Sequence, residues 1–258
     1  MTHPIGIFDS GIGGTSILKE VHQLLPHESI IYLADSKNAP YGDKSTEHIL
    51  QFSIKNTEFL LNKGCKLIIV ACNTATTNAI AYLRSTYKVP FVGIEPVIKP
   101  AALETRTRSI GILATKGTLS SSLFHKTSDH FAKHINVIEQ TGEGIVSLIE
   151  AGQLASQEMK QLLETYLSPM IEANIDHLVL GCTHYPYLIP LLKELLPDDI
   201  QIIDSGIAVA KQTRHLLQSH HIETTTNTAG KVDLITNGNP EILKSITEGK
   251  FSVHQENF

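Results

Sequence analysis

The 258-residue chain is 41% hydrophobic, enough to build one large or two small cores without staples. Its formal charge of -5, with 21 Lys and Arg scattered against 26 Asp and Glu, argues against a nucleic-acid surface or a polybasic membrane surface. The three cysteines cannot all pair, no signal peptide is evident, and the longest apolar runs are about half the ~20 residues a bilayer span requires, so a cytoplasmic protein with free thiols is expected.

In chain order, PIGIF predicts a first strand and TSILKEVHQLL the helix after it. SIIYLA is followed by a long helix from about Thr46 to Asn62, and KLIIVA by TATTNAIAYLR. The same rhythm resumes with SIGILA, DHLVLG and QIID, each followed by a helical pattern such as PYLIPLLKELL. Strands apolar across several residues and separated by helices mark parallel sheets covered on both faces, so the chain is α/β. EPVIKP, at 95–100, carries two prolines and is the expected crossing between sheets. There is also an internal echo. FDSGIGG (8–14) resembles IDSGIAV (203–209), and VACNTAT (70–76) resembles LGCTHYP (180–186), each at a strand-to-helix junction. For Asp204-Ser205 a simple helix cap explains the match, whereas the cysteine pair repeats both position and chemistry.

Ligands of parallel α/β sheets bind outside the carboxyl ends of the strands, so the residues just after each apolar run are the candidates. DSGIGG, from Asp9 to Gly14, is a glycine turn that lets backbone approach a ligand, and its spacing is not that of a dinucleotide fingerprint. Asp9 is either a helix cap or a partner for a substrate ammonium. In ADSKNAPYG, Tyr41 and Gly42 offer a wall and a backbone contact, or merely a surface turn. In ATKGT, the hydroxyls of Thr115 and Thr118 suit either a helix cap or a carboxylate.

The cysteines sharpen the signal. Cys65 reads as a small apolar residue at a helix end, but Cys72 and Cys182 each end a strand and begin a helix, where the helix dipole lowers a thiol's pKa and favours thiolate. Asn73-Thr74 and Thr183-His184 add hydrogen-bonding groups directly after each sulfur. A zinc site fits poorly, since neither cysteine belongs to a CxxC and no further His or Cys sits at ligand spacing. Two thiols facing each other across a bound molecule can do what one cannot: one removes a proton from carbon and the other returns a proton to the opposite face, inverting the centre. No loop has the look of a pyridoxal-phosphate site, and no cofactor is expected.

Asp9-Ser10-Gly11-Ile12-Gly13-Gly14, Ala34-Asp35 with Pro40-Tyr41-Gly42, Cys72-Asn73-Thr74-Ala75 and Gly181-Cys182-Thr183-His184-Tyr185-Pro186 resemble, in order and spacing, the motifs of the bacterial glutamate racemases. The resemblance covers nearly the whole chain. It implies interconversion of L- and D-glutamate without a cofactor, supplying D-glutamate for peptidoglycan. It also implies two similar α/β domains, 1–95 with 206–258 and 96–205, with the site in the cleft between them and a homodimer as the expected assembly.

Carried over by motif, Cys72 and Cys182 are the paired acid/base residues, and Asp9 and His184 assist the adjacent thiols. Ser10, Tyr41, Gly42, Asn73, Thr74 and Thr183 contact substrate, with Thr115 and Thr118 beside them. Glu150, in SLIEAG, matches a glutamate placed near His184, although a solvated helix end is its alternative reading. The chain departs from the pattern at Thr15-Ser16-Ile17 and Thr76-Thr77, which lie past the ligand-facing positions. Two other readings stay open on the residues alone: a racemase of another amino acid such as aspartate, and a non-catalytic receptor for a small acidic ligand. The substrate carboxylates are expected to meet backbone N–H groups and hydroxyls at helix starts, because Lys37 and Lys116 are the only cations within the motifs.

Overall fold

The computed structural model describes residues 3–94 and 97–258. The EPVIKP crossing therefore falls partly outside the described residues, at Glu95 and Pro96. The chain runs β1 (Ile5–Asp9), α1 (Thr15–Leu24), β2 (Ile30–Ala34), α2 (Thr46–Asn62), β3 (Leu67–Val70), α3 (Asn73–Thr86), β4 (Phe91–Gly93) and α4 (Ile98–Glu104). It continues through β5 (Ser109–Ala114), α5 (Lys116–Leu119), α6 (Ser122–Phe131), β6 (Asn136–Thr141), α7 (Ile145–Glu150), α8 (Gln157–Glu172) and β7 (His177–Gly181). It ends with α9 (Ile189–Leu195), β8 (Gln201–Ile203), α10 (Gly206–Ser219), β9 (Val232–Thr236), α11 (Pro240–Ile246) and β10 (Ser252–Gln255).

Two sheets result, one of six strands in the order β10-β9-β2-β1-β3-β4 and one of four in the order β6-β5-β7-β8. Every strand pair is parallel, as fully apolar runs such as Leu67–Val70, buried at all four positions, require. The helices lie over the sheets because their apolar residues recur on one stripe: α1 buries Ile17, Leu18 and Val21, and α2 buries Ile49 and Leu60. The long helix predicted from Thr46 to Asn62 has those bounds, with the Ser45 side chain accepting the His48 N–H at its start.

The internal echo has a topological basis. β2-β1-β3-β4 in the first sheet and β6-β5-β7-β8 in the second share one strand order, with the central strand entering first and the chain reversing direction of growth after the second. Cys72 follows β3 and Cys182 follows β7, so the two thiols occupy equivalent places beside the two switch points, where a parallel sheet leaves a crevice at its strand ends. The Asp204 copy of the acidic motif is a cap: its side chain accepts the Gly206 N–H at 2.7 Å at the start of α10.

A buried ion pair fixes the far end of the first sheet. Glu28, 2% exposed, meets Lys66 Nζ at 2.7 Å and accepts both the N–H and the hydroxyl of Thr224 at 2.7 Å, tying the connection before β9 to the strand bottoms. Removing one partner of such a pair leaves the other charge buried and uncompensated, so Glu28→Gln is expected to lower stability by roughly 2–4 kcal/mol. A denaturant midpoint unchanged from the wild type would show that the pair is replaceable by water. Among the described residues, no helix is long and apolar enough to cross a membrane.

Candidate active site

The carboxyl ends of β1, β3, β5 and β7 converge on one tight cavity of about 10 Å³ between the two sheets. It is lined from the first sheet by Ser10, Tyr41, Gly42, Cys72, Asn73 and Thr74, and from the second by Thr115, Val146, Cys182, Thr183 and His184, with Pro40 at the rim. Asp9, Thr118 and Glu150 lie behind this wall. The cavity shares Pro40, Gly42, Thr115 and Val146 with a larger recess of about 150 Å³, where Lys116 also sits. Lys37 turns elsewhere, its Nζ donating to Asn257 Oδ1 at 2.7 Å.

The glycine turn works differently from the sequence expectation. A Cβ on Gly11 would overlap the Glu150 carboxylate and one on Gly13 the His184 ring, so these glycines seat two side chains of the second sheet and do not cradle a ligand. Tyr32 holds the turn by donating to Gly11 O at 2.6 Å. Glu150 accepts the Ile12 N–H at 2.7 Å and the Ser36 hydroxyl at 3.1 Å, and pairs with His184 Nε2 at 2.6 Å. It is therefore a bridge between the sheets, not the solvated helix end that its sequence context also allowed.

Each thiol has its own environment. Cys182 Sγ lies 3.8 Å from His184 Nδ1. Nε2 faces the Glu150 carboxylate and the Gly13 N–H, the latter at 3.2 Å, so Nδ1 is the nitrogen that faces the sulfur. His184 is fully buried, which opposes its charged form, yet the contacts with Cys182 and Glu150 win and hold its pKa well above the usual imidazole range. Cys72 opens α3 and its sulfur accepts the Ala75 N–H at 3.4 Å. The sequence predicts a thiol whose pKa the helix lowers, and here the structure corrects it. Burial first, then the Asp9 carboxyl and Cys182, push the Cys72 thiol far above its usual range, against the Ala75 N–H and the Ser10 hydroxyl.

Asp9, wholly buried, is raised to about 6, chiefly by burial with Glu150 adding, while His184 and the Gly14 and Ser10 backbone groups pull it down. Its Oδ2 accepts the Gly14 N–H at 2.8 Å and its Oδ1 the Thr183 hydroxyl at 3.3 Å. It ends β1 and does not cap α1, which has Gly14 at that place.

The remaining polar groups form a hydroxyl chain, Thr74 to Thr115 at 2.9 Å and Thr115 to Thr118 at 3.0 Å, so Thr118 stands one step back from the cavity. Asn73, 3% exposed, has both its side-chain oxygen and nitrogen buried without a protein partner beside Cys72. Such a group demands a ligand or water to bond it. Tyr41 lines the cavity, its ring packs 5.4 Å from that of Phe52, and its hydroxyl donates to Asp35 Oδ2 at 2.5 Å. No group of three or more His, Cys, Asp or Glu among the described residues is arranged to hold a metal ion.

Sequence reasoning missed Val146, whose surroundings carry no chemical signal, and the supports behind the wall. Asp35 and Ser36 sit inside the quoted ADSKNAPYG stretch, but their partners come from distant parts of the chain.

Two parallel α/β sheets that meet over a cavity holding one thiol from each define a paired-thiol, two-lobed α/β protein. The chain matches the Asp/Glu/Hydantoin racemase description over residues 10–213. It is 49% identical over 223 residues to the glutamate racemase of Ectopseudomonas mendocina, covering 86% of this chain and 85% of that one. Among solved structures, the Escherichia coli glutamate racemase in complex with L-glutamate and the activator UDP-MurNAc-ala superposes with a TM-score of 0.87 at 32% identity, covering 98% of this chain and 97% of that one. The Francisella tularensis glutamate racemase in complex with D-glutamate gives 0.85 at 28% identity, covering 100% and 97%. The chain belongs to the Asp/Glu/Hydantoin racemase family.

Proposed function

We propose that the protein interconverts L- and D-glutamate by passing the α-proton between Cys72 and Cys182, and so supplies D-glutamate for peptidoglycan. The observation that carries this reading is the placement of the two thiols: each follows the third strand of its sheet, and both line one cavity. One thiolate removes the α-proton, leaving the electron pair on carbon, and the opposite thiol protonates that carbon from the other face. The first sulfur ends as a thiol and the second as a thiolate, ready for the reverse direction.

His184 is the group able to hold the proton that Cys182 gives up, with Glu150 stabilising the imidazolium. Asp9 is the carboxylate on the Cys72 side and the candidate for the substrate ammonium. None of the cavity-lining residues is Lys or Arg, so Asn73, Thr74, Thr115, Thr183 and Ser10 with nearby backbone N–H groups receive the two carboxylates. The orphaned amide of Asn73 supports this assignment. Thr118 acts through Thr115, and Tyr41 and Gly42 shape the wall.

The same reading takes 1–95 with 206–258 and 96–205 as the two domains, which the return of β9 and β10 to the first sheet supports. It also carries a cytoplasmic homodimer, which light scattering giving the mass of one chain would remove. The test of function is direct. Purified protein given only L-glutamate should bring the optical signal toward zero and exchange the α-proton in D2O. A signal unchanged over hours, or turnover of L-aspartate in its place, overturns the assignment.

A further inference from the structure

The loop that carries Tyr41 is held by a residue from the other end of the chain. Asn237, directly after β9, is 3% exposed, and its Nδ2 donates to Asp35 Oδ1 at 2.5 Å while its Oδ1 accepts the Lys37 N–H at 3.0 Å. Its own N–H donates to Ala34 O at 3.3 Å. One amide thus clasps the 35–37 turn from both sides. Asp35, 2% exposed, also accepts from Asn38 Nδ2 at 2.8 Å and from the Tyr41 hydroxyl at 2.5 Å, and its backbone N–H donates to Asp9 O at 3.1 Å. Asn56 Nδ2 completes the set by donating to the Tyr41 hydroxyl at 3.1 Å.

We propose that Asn237 is a positioning residue for the glutamate cavity: through Asp35 and the Tyr41 hydroxyl it sets where the Tyr41 segment stands as the cavity wall. The inference rests on the functional reading of that cavity. The physical reason is the chemistry of Asp35. Its carboxylate is buried among neutral donors, so each donor decides its orientation, and Tyr41 can bond only an oxygen that is held in place. An amide is suited to the task because it donates to the carboxylate and accepts from the adjacent backbone at once. A side chain with one function would leave either Asp35 Oδ1 or the Lys37 N–H short of a partner.

The test compares kcat and KM for wild type, Asn237→Ala and Asn237→Ser, each also in a Tyr41→Phe background, with melting curves for all. A purely structural loss lowers the folded fraction and therefore kcat, leaving KM where it was. A displaced wall raises KM. Losing one buried hydrogen-bond partner of a carboxylate should raise KM roughly 5- to 100-fold in Asn237→Ala and less in Asn237→Ser. In the Tyr41→Phe background, where the link from Asp35 to the ring is already cut, the same substitution should change KM less than about two-fold. A KM within two-fold of wild type in a folded Asn237→Ala, or an equal factor in both backgrounds, overturns the proposal. If Asn237→Ala does not accumulate as folded protein, Asn237→Ser is judged by the same criteria. An inactive wild type removes the functional reading and this inference together, whereas an active wild type matched by its variants removes this inference alone.

Discussion

Cys72→Ala and Cys182→Ala are each expected to reduce racemisation by roughly 10²- to 10⁴-fold, the scale of a positioned proton carrier. Both sulfurs are buried at strand ends and neither is paired in a disulfide, so the fold should survive with only a small cavity added. The more informative outcome is what each variant keeps. With one thiol gone, the other still reaches the α-hydrogen of one enantiomer but can return a proton only to the face it came from. Each variant should therefore exchange the α-proton of a single enantiomer in D2O without inverting it, and the two variants should choose opposite enantiomers. That pattern would also assign each sulfur to its face. Full racemisation by either variant would sink the two-thiol mechanism.

Asp9→Asn should move activity and stability in opposite directions. A carboxyl that titrates near 6 in the fold but near 3.8 in the unfolded chain is protonated more readily in the native state. Its relative stability is therefore complete below about 3.8 and is lost as the pH rises through about 6, a loss of about 3 kcal/mol at neutral pH. An amide removes the buried charge and keeps an oxygen for the Gly14 N–H, so Asp9→Asn should stabilise the protein by about 1–3 kcal/mol at pH 8 and by almost nothing at pH 4. Racemisation should fall by roughly 10²-fold or more as the carboxylate beside Cys72 is lost. The wild-type kcat/KM should decline as the pH drops through about 6, and the variant should lack that limb. Chemical denaturation at both pH values and a pH profile check the two halves. An Asn variant less stable than wild type at pH 8 would mean that the Thr183 and Gly14 contacts outweigh the buried charge.

Much of the site was legible because it is local. A strand that ends in cysteine and turns into a helix is visible in VACNTAT and LGCTHYP, and those two segments line the cavity. The long helix at Thr46–Asn62 was legible as the amphipathic stretch between two apolar runs. What failed depended on packing between distant segments. The ionisation of Cys72 was misjudged because the helix terminus is a local feature and burial is not. Gly11 and Gly13 were read as facing a ligand because the sequence does not reveal that Glu150 and His184 sit on them. β6, NVIEQT, escaped notice because its side chains are half-exposed and its apolar run is broken by Glu139 and Gln140. β9 and β10 have the same difficulty, since Val232–Thr236 carries an Asp and gains its place only from the strand beside it.

That last pairing bears on how the chain is made. β9 lies against β2 in register, Ile30 opposite Val232 and Ala34 opposite Thr236, although most of the chain separates them. A ribosome that extends the chain at ~5–20 residues per second leaves β2 waiting on the order of 10–40 s for its neighbour. During that interval the nascent chain carries an apolar parallel edge, Ile30–Ala34, with no partner on one side, a shape prone to association with other chains. Completion of the cavity therefore waits on β9, and a product terminated before it would carry both thiols but an unsupported Tyr41 loop and a sticky edge.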